Sequence, residues 1–527
     1  MKDFSHCTRH VLLFILLLLP LGLALPAIAT TRDVTSFGAL GDGSHDDTAA
    51  IRSAISALVP GDTLLFPCTA SNTYLTTSQL AVNVSNITID GSGCARIFNT
   101  ATSSSPIFRI GQVGITASNA ALGTAIALST TANELANSFT TVSSLGVVAD
   151  DYVYLSEGGK DGNASGGGAT TDTQCDLGGC RGEIVKVASV NGNTVTVTTA
   201  LHDTYDPSVN AAVAKKVNGM LSGITVRNIT FDGNSTNNYG LQANDIVDST
   251  FTGITSQNVL GAAIVTSVAF NVTWSNINIT HAGSAGCGGA FHMDLQGNPS
   301  ILGMSLSQLN SAPSVCLTNG SFGWNVGSLA GGTFSNITVD KTGTGGGRPV
   351  KLDSARWNTF NTLSVTGGSG AYNGLTIEYY SSHNTFNNCA ITNNAAGSGS
   401  GNAGINSFGN FNQYNTFNNC TVSGNGNVQI LINNFDELHL GQDSNVTING
   451  TTISGPGVGL IVNASNACIN NNTFVAGSGL TAGISALNGT DVGSGNVLNG
   501  YSSNLVSGSC GTASRPLPPS NLTATVQ

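Results

Sequence analysis

The chain has little charge: Asp, Glu, Lys and Arg make up only 9% of its 527 residues. Seventeen Lys and Arg face 28 Asp and Glu, and the net charge of −11 leaves no basic stripe to neutralise a row of phosphates. Nucleic acid is excluded as a partner on that ground. No apolar stripe of helical period occurs C-terminal to Leu58, which excludes a helical bundle. Beyond Val11–Leu25 no apolar run could cross a bilayer, so stable membrane insertion is not expected. The eleven cysteines contain no paired CxxC spacing, which argues against a zinc site. Apolar residues at 40% are too many for a disordered chain.

What is abundant is glycine, with 67 residues, together with asparagine in a recurring frame. Asn-Thr-Phe-Asn-Asn-Cys occurs at Asn384–Cys389 and again at Asn415–Cys420, with related pieces at Asn358–Leu363, Asn445–Gly450 and Cys468–Asn472. Their apolar anchors, Phe334, Phe360, Phe386, Phe417, Ile448 and Ile469, are separated by 26, 26, 31, 31 and 21 residues. Repetition at such a period marks a solenoid whose units bury their apolar faces only by stacking. Each unit consists of short β-type runs and Gly/Asn/Ser turns. The fold expected is therefore all-β: a single-stranded right-handed parallel β-helix, with a surface suited to an extended ligand.

Lys2 and Arg9 precede the apolar stretch, and Ala27-Ile28-Ala29 offers a cleavage site, so residues 1–29 read as a signal peptide and the mature chain as secreted. Removing Cys7 leaves an even number of cysteines, which suits an oxidising compartment. Cys389 and Cys420 hold the same place in successive repeats and should bridge. Cys175 and Cys180 could close a small loop, and proximity suggests Cys68 with Cys94, Cys287 with Cys316 and Cys468 with Cys510. Asn-x-Ser/Thr triplets at Asn86, Asn228, Asn278, Asn336 and Asn445 read as solenoid turns and ladders before they read as glycan sites.

Residues 30–114 read as a cap and first coils. Val34–Phe37 ends a strand, a Gly-rich loop follows, and Asp47 or Thr48 caps a helix with the apolar face Ala50, Ile51, Ala54, Ile55 and Leu58. Asp42, Asp46 and Asp47 are assigned to loop turns and helix capping, not to a metal. Residues 115–216 interrupt the repeats with alternating runs and an Asn191-Gly192 turn, a small β insertion. Repeats resume over 217–510. Residues 511–527 are a Pro-rich linker and one strand, similar to the opening of a truncated fibronectin type III domain.

The segment from Val34 to Ile55, followed by Gly61-Asp-Thr-Leu-Leu-Phe-Pro67, resembles the N-terminal signature of the pectate-lyase superfamily, the rhamnogalacturonase/epimerase-like or pectin-lyase-like proteins. That resemblance implies a helix covering the open end of a right-handed parallel β-helix. The family includes hydrolases, lyases, epimerases and phage tailspikes, so it implies a fold more than a reaction. Polygalacturonases on this fold carry Asn-Thr-Asp, Asp-Asp, Gly-His-Gly and Arg-Ile-Lys motifs. Here Arg348-Pro-Val-Lys351 only loosely resembles the last, His292 lies in Ala-Phe-His-Met, and the Asp-Asp pairs fall outside the repeats.

Aligning Val350-Lys-Leu-Asp353 with Leu375-Thr-Ile-Glu378 puts Val350, Leu352, Leu375 and Ile377 inside, and Lys351, Asp353, Thr376 and Glu378 outside. Asp353 and Glu378 then share a column on adjacent coils, roughly 5 Å apart. Phe291-His-Met-Asp294 fits the same pattern with His292 and Asp294 outside, and the column continues through Asn406 or Phe408 and then Asn433. Like carboxylates that close repel, and a proton kept by one would make it a general acid. Glycoside hydrolysis needs such an acid and a second carboxylate. The catalytic candidates are Asp294, Asp353 and Glu378. His292, Arg348 and Lys351 would orient an acidic sugar, and Tyr379, Tyr380 and Phe408 would stack on it. The alternatives are an ion-pair ladder, with Lys351 neutralising Asp353, and aromatic stacking between coils. Asp436, Glu437 and Asp443 form a solvated loop or a Ca²⁺ site.

These residues point to a secreted enzyme cleaving a uronate-containing polysaccharide by carboxylate acid/base hydrolysis, with no cofactor required. A lyase or C5-epimerase with Lys351 or His292 as base, with or without Ca²⁺, is the first alternative. A non-catalytic polysaccharide-binding surface protein is the second.

Overall fold

The computed structural model describes residues 29–500, except 103–104, 112–121, 158–181, 237–238, 283–289, 308, 310–323, 342–348, 369–372, 379, 395–402, 409–411, 433–444, 463–466, 478–482 and 487–492. The N-terminal stretch read as a signal peptide and the C-terminal linker lie outside the described residues. Among those described, 32 strands join in one continuous parallel ladder, the wall of a right-handed parallel β-helix.

The repeat anchors stack as their spacing requires. Phe334 pairs in register with Phe360, Phe360 with Phe386, Phe386 with Phe417, Phe417 with Ile448 and Ile448 with Ile469. The four rings lie nearly parallel, with centroids 4.8, 4.7 and 4.9 Å apart, the spacing of the coils themselves. The same column extends N-terminally through Ile301, Trp274, Phe251, Val226 and Ile89 to Leu64, where no repeat is visible in the sequence. These residues belong to one buried core.

Asparagine closes the corners. The side chain of Asn358 donates to Asn384 Oδ1 at 2.9 Å, and Asn384 donates to Asn415 Oδ1 at 3.0 Å. Each carboxamide oxygen also accepts the backbone N–H of the preceding rung, at 3.2 and 3.1 Å. A carboxamide both donates and accepts, so such a ladder can repeat from coil to coil with every group satisfied. Among the Asn-x-Ser/Thr residues named above, Asn86, Asn228, Asn336 and Asn445 adopt left-handed backbone angles, as turn residues do.

Cys389 and Cys420 form the expected disulfide, with Cα atoms 4.4 Å apart, and Cys68 bridges Cys94. Cys468 is also disulfide-bonded. Cys175, Cys180, Cys287, Cys316 and Cys510 lie outside the described residues.

The capping helix runs Thr48–Ser56 and buries Ile51 and Ala54 in the core of the first coils. Its N-terminal chemistry departs from the expectation. Asp47 is the N-cap residue, but its carboxylate accepts from the N–H groups of Leu40 and Gly41, bracing the preceding loop. Asp46 takes the Thr48 N–H instead, at 3.0 Å. Asp42 accepts from Ser44 and His45. All three acids are thus spent on turns, and no group of three His, Cys, Asp or Glu poised for a metal occurs among the described residues.

The insertion is a six-stranded sheet whose main pairings are antiparallel, including the Asn191–Thr194 hairpin. It has its own core around Val153, Leu155, Val185 and Val195. Its other face packs Tyr152, Tyr154 and Ile184 on Val247, Val268, Phe270 and Leu295 of the coils. Arg356, fully buried, fastens the junction by binding Asp203 Oδ2 at 2.9 Å and the Gly182 carbonyl at 2.7 Å.

Replacing Phe386 with Ala removes a ring packed between two others and should cost about 3–5 kcal/mol. Chemical denaturation of the variant measures this, and a loss below about 1 kcal/mol would show that the stack does not support the core.

Candidate functional site

The candidate residues His292, Asp294, Lys351, Asp353 and Glu378 sit on Phe291–Gly297, Val350–Arg356 and Leu375–Glu378, with Ile264–Thr280 and Trp324–Ala330 pairing beside them in the ladder. On each, residues alternate between the core and the opposite face. Phe291, Met293, Val350, Leu352, Leu375 and Ile377 are wholly buried in the core. The residues between them form two parallel columns. Left-handed residues Asp245, Val268, Leu295 and Ser354 bend the chain just after the acid column on their coils. A left-handed angle is uncommon for β-branched Val268, which marks the bend as imposed by the stack.

The first column runs Arg109, Gln242, Val265, His292, Asn325, Lys351, Thr376 and Asn406. The second runs Asn244, Ser267, Asp294, Gly327, Asp353, Glu378 and Phe408. Asp353 is therefore the in-register neighbour of Glu378. Asp294 shares their column but stands two coils from Asp353, with Gly327, which has no side chain, between them. Downstream of Glu378 the acid column continues with Phe408, while Asn406 belongs to the lysine column.

The ammonium of Lys351 lies 3.2 Å from Asp353 Oδ2 and 3.3 Å from Glu378 Oε2. The ion-pair alternative considered for Lys351 is present and is broader than expected, since one cation spans both carboxylates and offsets their repulsion. His292 Nε2 stands 2.7 Å from Asp294 Oδ2. The expected solvent exposure is not found. His292 is 9% exposed, and Asp294, Lys351, Asp353 and Glu378 are 5% or less. Coils stacked about 4.8 Å apart let same-column neighbours cover one another's stems, and each charge is further covered by its partner. The insertion strand Gly182–Asn191 also packs beside Phe291–Gly297 and Trp324–Ala330.

Thr376 lies between Lys351 and Asn406 in register and is fully buried, and its hydroxyl has no hydrogen-bond partner among the described residues. Arg348, Tyr379, Asp436, Glu437 and Asp443 lie outside the described residues, as does Asn433. The backbone of Phe408 is placed, but its side chain is not described. Tyr380 is a half-buried residue in a left-handed bend two positions after Glu378. A separate aromatic stack, which the sequence did not announce, places His383 between Trp357 and Tyr414 at 4.2 and 4.6 Å. It belongs to the corner that holds the insertion, where Trp357 Nε1 donates to Glu134.

No protein-family model and no curated protein matches the chain. Among solved structures, the tailspike protein gp49 from Pseudomonas phage LKA1 is similar at 17% identity, over 89% of this chain and 81% of that one, with a TM-score of 0.54. The A-module of the Azotobacter vinelandii mannuronan C-5 epimerase AlgE4 is 14% identical over 90% of this chain and 98% of that one, with a TM-score of 0.47. The Gp54 tailspike of Acinetobacter baumannii bacteriophage AP22, solved with A. baumannii capsular saccharide, is 13% identical over 89% and 69%, with a TM-score of 0.45. The tailspike gp49 likeness is one of fold, the right-handed parallel β-helix.

Lys351→Met would leave two buried carboxylates without their cation and should destabilise the protein by about 3–5 kcal/mol. Adding Asp353→Asn and Glu378→Gln should restore most of that loss. Denaturant titrations of the single and triple variants measure both steps, and a neutral Lys351→Met would contradict the bridging role.

Proposed function

We propose that this protein is a secreted carbohydrate-active enzyme that cleaves an extended, uronate-containing polysaccharide. One observation carries the reading: a chain with 9% charged residues gathers three carboxylates, a lysine and a histidine, all buried, on one face of four successive coils. Burying ionised groups costs stability, and such clusters concentrate where chemistry needs them. The regular ladder suits a polymer, because each coil offers the next contact at a fixed step.

In the leading mechanism, one carboxyl of the Asp353/Glu378 pair protonates the glycosidic oxygen, while another carboxylate attacks the anomeric carbon or activates water. Asp294, beyond the side-chain-free gap at Gly327, is the third acid on the face. Lys351 attracts the uronate carboxylate and stabilises charge beside the bond being broken. His292 and the Thr376 hydroxyl orient the sugar. No cofactor is required.

A second reading is favoured by the His292–Asp294 contact, since a carboxylate that fixes an imidazole prepares it as a base. Beside a uronate neutralised by Lys351, that base would remove the proton α to the carboxylate. Loss of the 4-linked oxygen then gives a lyase, and reprotonation from the other face gives a C5-epimerase. Ca²⁺ would assist by neutralising the carboxylate.

A panel of plant and microbial polysaccharides, assayed for two products, tests these readings. Hydrolysis gives new reducing ends without ultraviolet absorption, and a lyase gives an unsaturated uronide that absorbs. On the responsive substrate, Asp353→Asn and Glu378→Gln should each lower kcat by about 10²–10⁴-fold, measured at a temperature where circular dichroism shows each variant folded. Unchanged turnover in both variants would remove the catalytic assignment.

A further inference from the structure

A cavity lies where the insertion meets the coils, away from the acid row. Its volume is about 440 Å³, within the size range of small-molecule sites. Its apolar floor is Tyr152 and Val217 from the insertion and Val247 from the strand Tyr239–Gln257, with Met220 alongside. Its polar wall is already paired. Lys186 contacts Asp150 at 3.0 Å, and Lys216 contacts Asp151 at 2.8 Å. Asp248, exposed and held at a left-handed backbone angle, accepts from Tyr152 Oη at 3.3 Å and from the Asn271 side chain at 2.5 Å.

This wall discriminates by charge. Three carboxylates against two ammonium groups disfavour an anion. The carboxylates are held separately by Lys186, Lys216 and Tyr152, so they do not converge on a cation. A neutral sugar ring meets both constraints: its C–H face covers the apolar floor, and its hydroxyls both donate and accept between lysine and aspartate. The strand Tyr239–Gln257 links the cavity to the acid row. Asn244, four residues before Asp248 on the same strand, stands in the acid column two coils from Asp294, roughly 10 Å along the helix axis.

We propose that this cavity is a subsite for a neutral sugar unit of the same polymer, built jointly by the insertion and the coils. The inference rests on the reading of the protein as polysaccharide-acting. It adds that the polymer carries uncharged units, which dock here while its acidic units face Lys351.

Met220 provides a local probe, because the chain has only four methionines and Met293 and Met304 are buried in the core. The full-length protein, labelled with ¹³C at its methionine methyl groups, is titrated separately with glucose, galactose, mannose, rhamnose and sodium galacturonate. At least one neutral sugar should shift the Met220 methyl resonance saturably while Met293 and Met304 stay fixed, and galacturonate should bind at least about 10-fold more weakly. Asp248→Ala, at an exposed position, should weaken the neutral sugar by about 10-fold or more. A Met220 signal unmoved by every neutral sugar, equal binding of galacturonate, or an Asp248→Ala variant that binds as well as wild type would each overturn the proposal. A silent Met220 in a protein that still cleaves polysaccharide removes this subsite alone. A responsive Met220 in a protein that cleaves nothing removes the enzymatic reading alone.

Discussion

The register of the core column, from Leu64 through the stacked phenylalanines to Ile469, governs everything else in this molecule. In a parallel ladder the side-chain period is two, so a slip of one residue would move Lys351, Asp353 and Glu378 into the core. Aromatic rings stacked at the coil spacing oppose that slip, and the Asn358–Asn384–Asn415 carboxamides hold the corner at the same step. The charged columns are a consequence of this constraint, since no contact among the charges themselves would align four coils.

Low overall charge and a buried charged row are two aspects of one design. The wall is held by backbone hydrogen bonds, apolar stacking and neutral asparagine ladders, which need no ions. Charge is then gathered in a few places: the acid row, the Asp46–Asp47 turn that braces the capping helix, the joints of the insertion, and cross-coil pairs such as Arg96–Asp232 and Arg227–Asp90. At those joints Arg356 and Trp357 reach Asp203 and Glu134, residues more than a hundred positions earlier in the chain. The insertion is thereby fixed over the coil bends, beside the strands that carry His292 and Asp294.

Local repetition made much of this legible in the sequence. The six anchors, the Cys389–Cys420 bridge and the Asp353–Glu378 adjacency all follow from aligning the repeats, because similar units stack in register even when their lengths differ. Where repetition faded, so did foresight. Nothing in the residues around Leu64 or Trp274 announces that they continue the same column. Burial of the outer face was missed because alternation tells which side a residue faces, not what covers that side. The reach of Lys351 to a second carboxylate depends on side-chain length across a rung. The exchange of roles between Asp46 and Asp47 turns on loop geometry that capping preferences do not specify. The joint cavity at Met220 unites residues of the insertion with residues of the coils, which no local pattern connects.

Engineered disulfides test most directly the claim that register assembles the site. Asp353→Cys with Glu378→Cys places two thiols on in-register neighbours, the arrangement of the native Cys389–Cys420 pair with its Cα atoms 4.4 Å apart. Mild oxidation should close this bridge almost completely by mass spectrometry, while Asp353→Cys with Thr376→Cys, offset by two residues on the same face, should stay reduced. An offset pair that bridges as readily as the in-register pair would contradict the account.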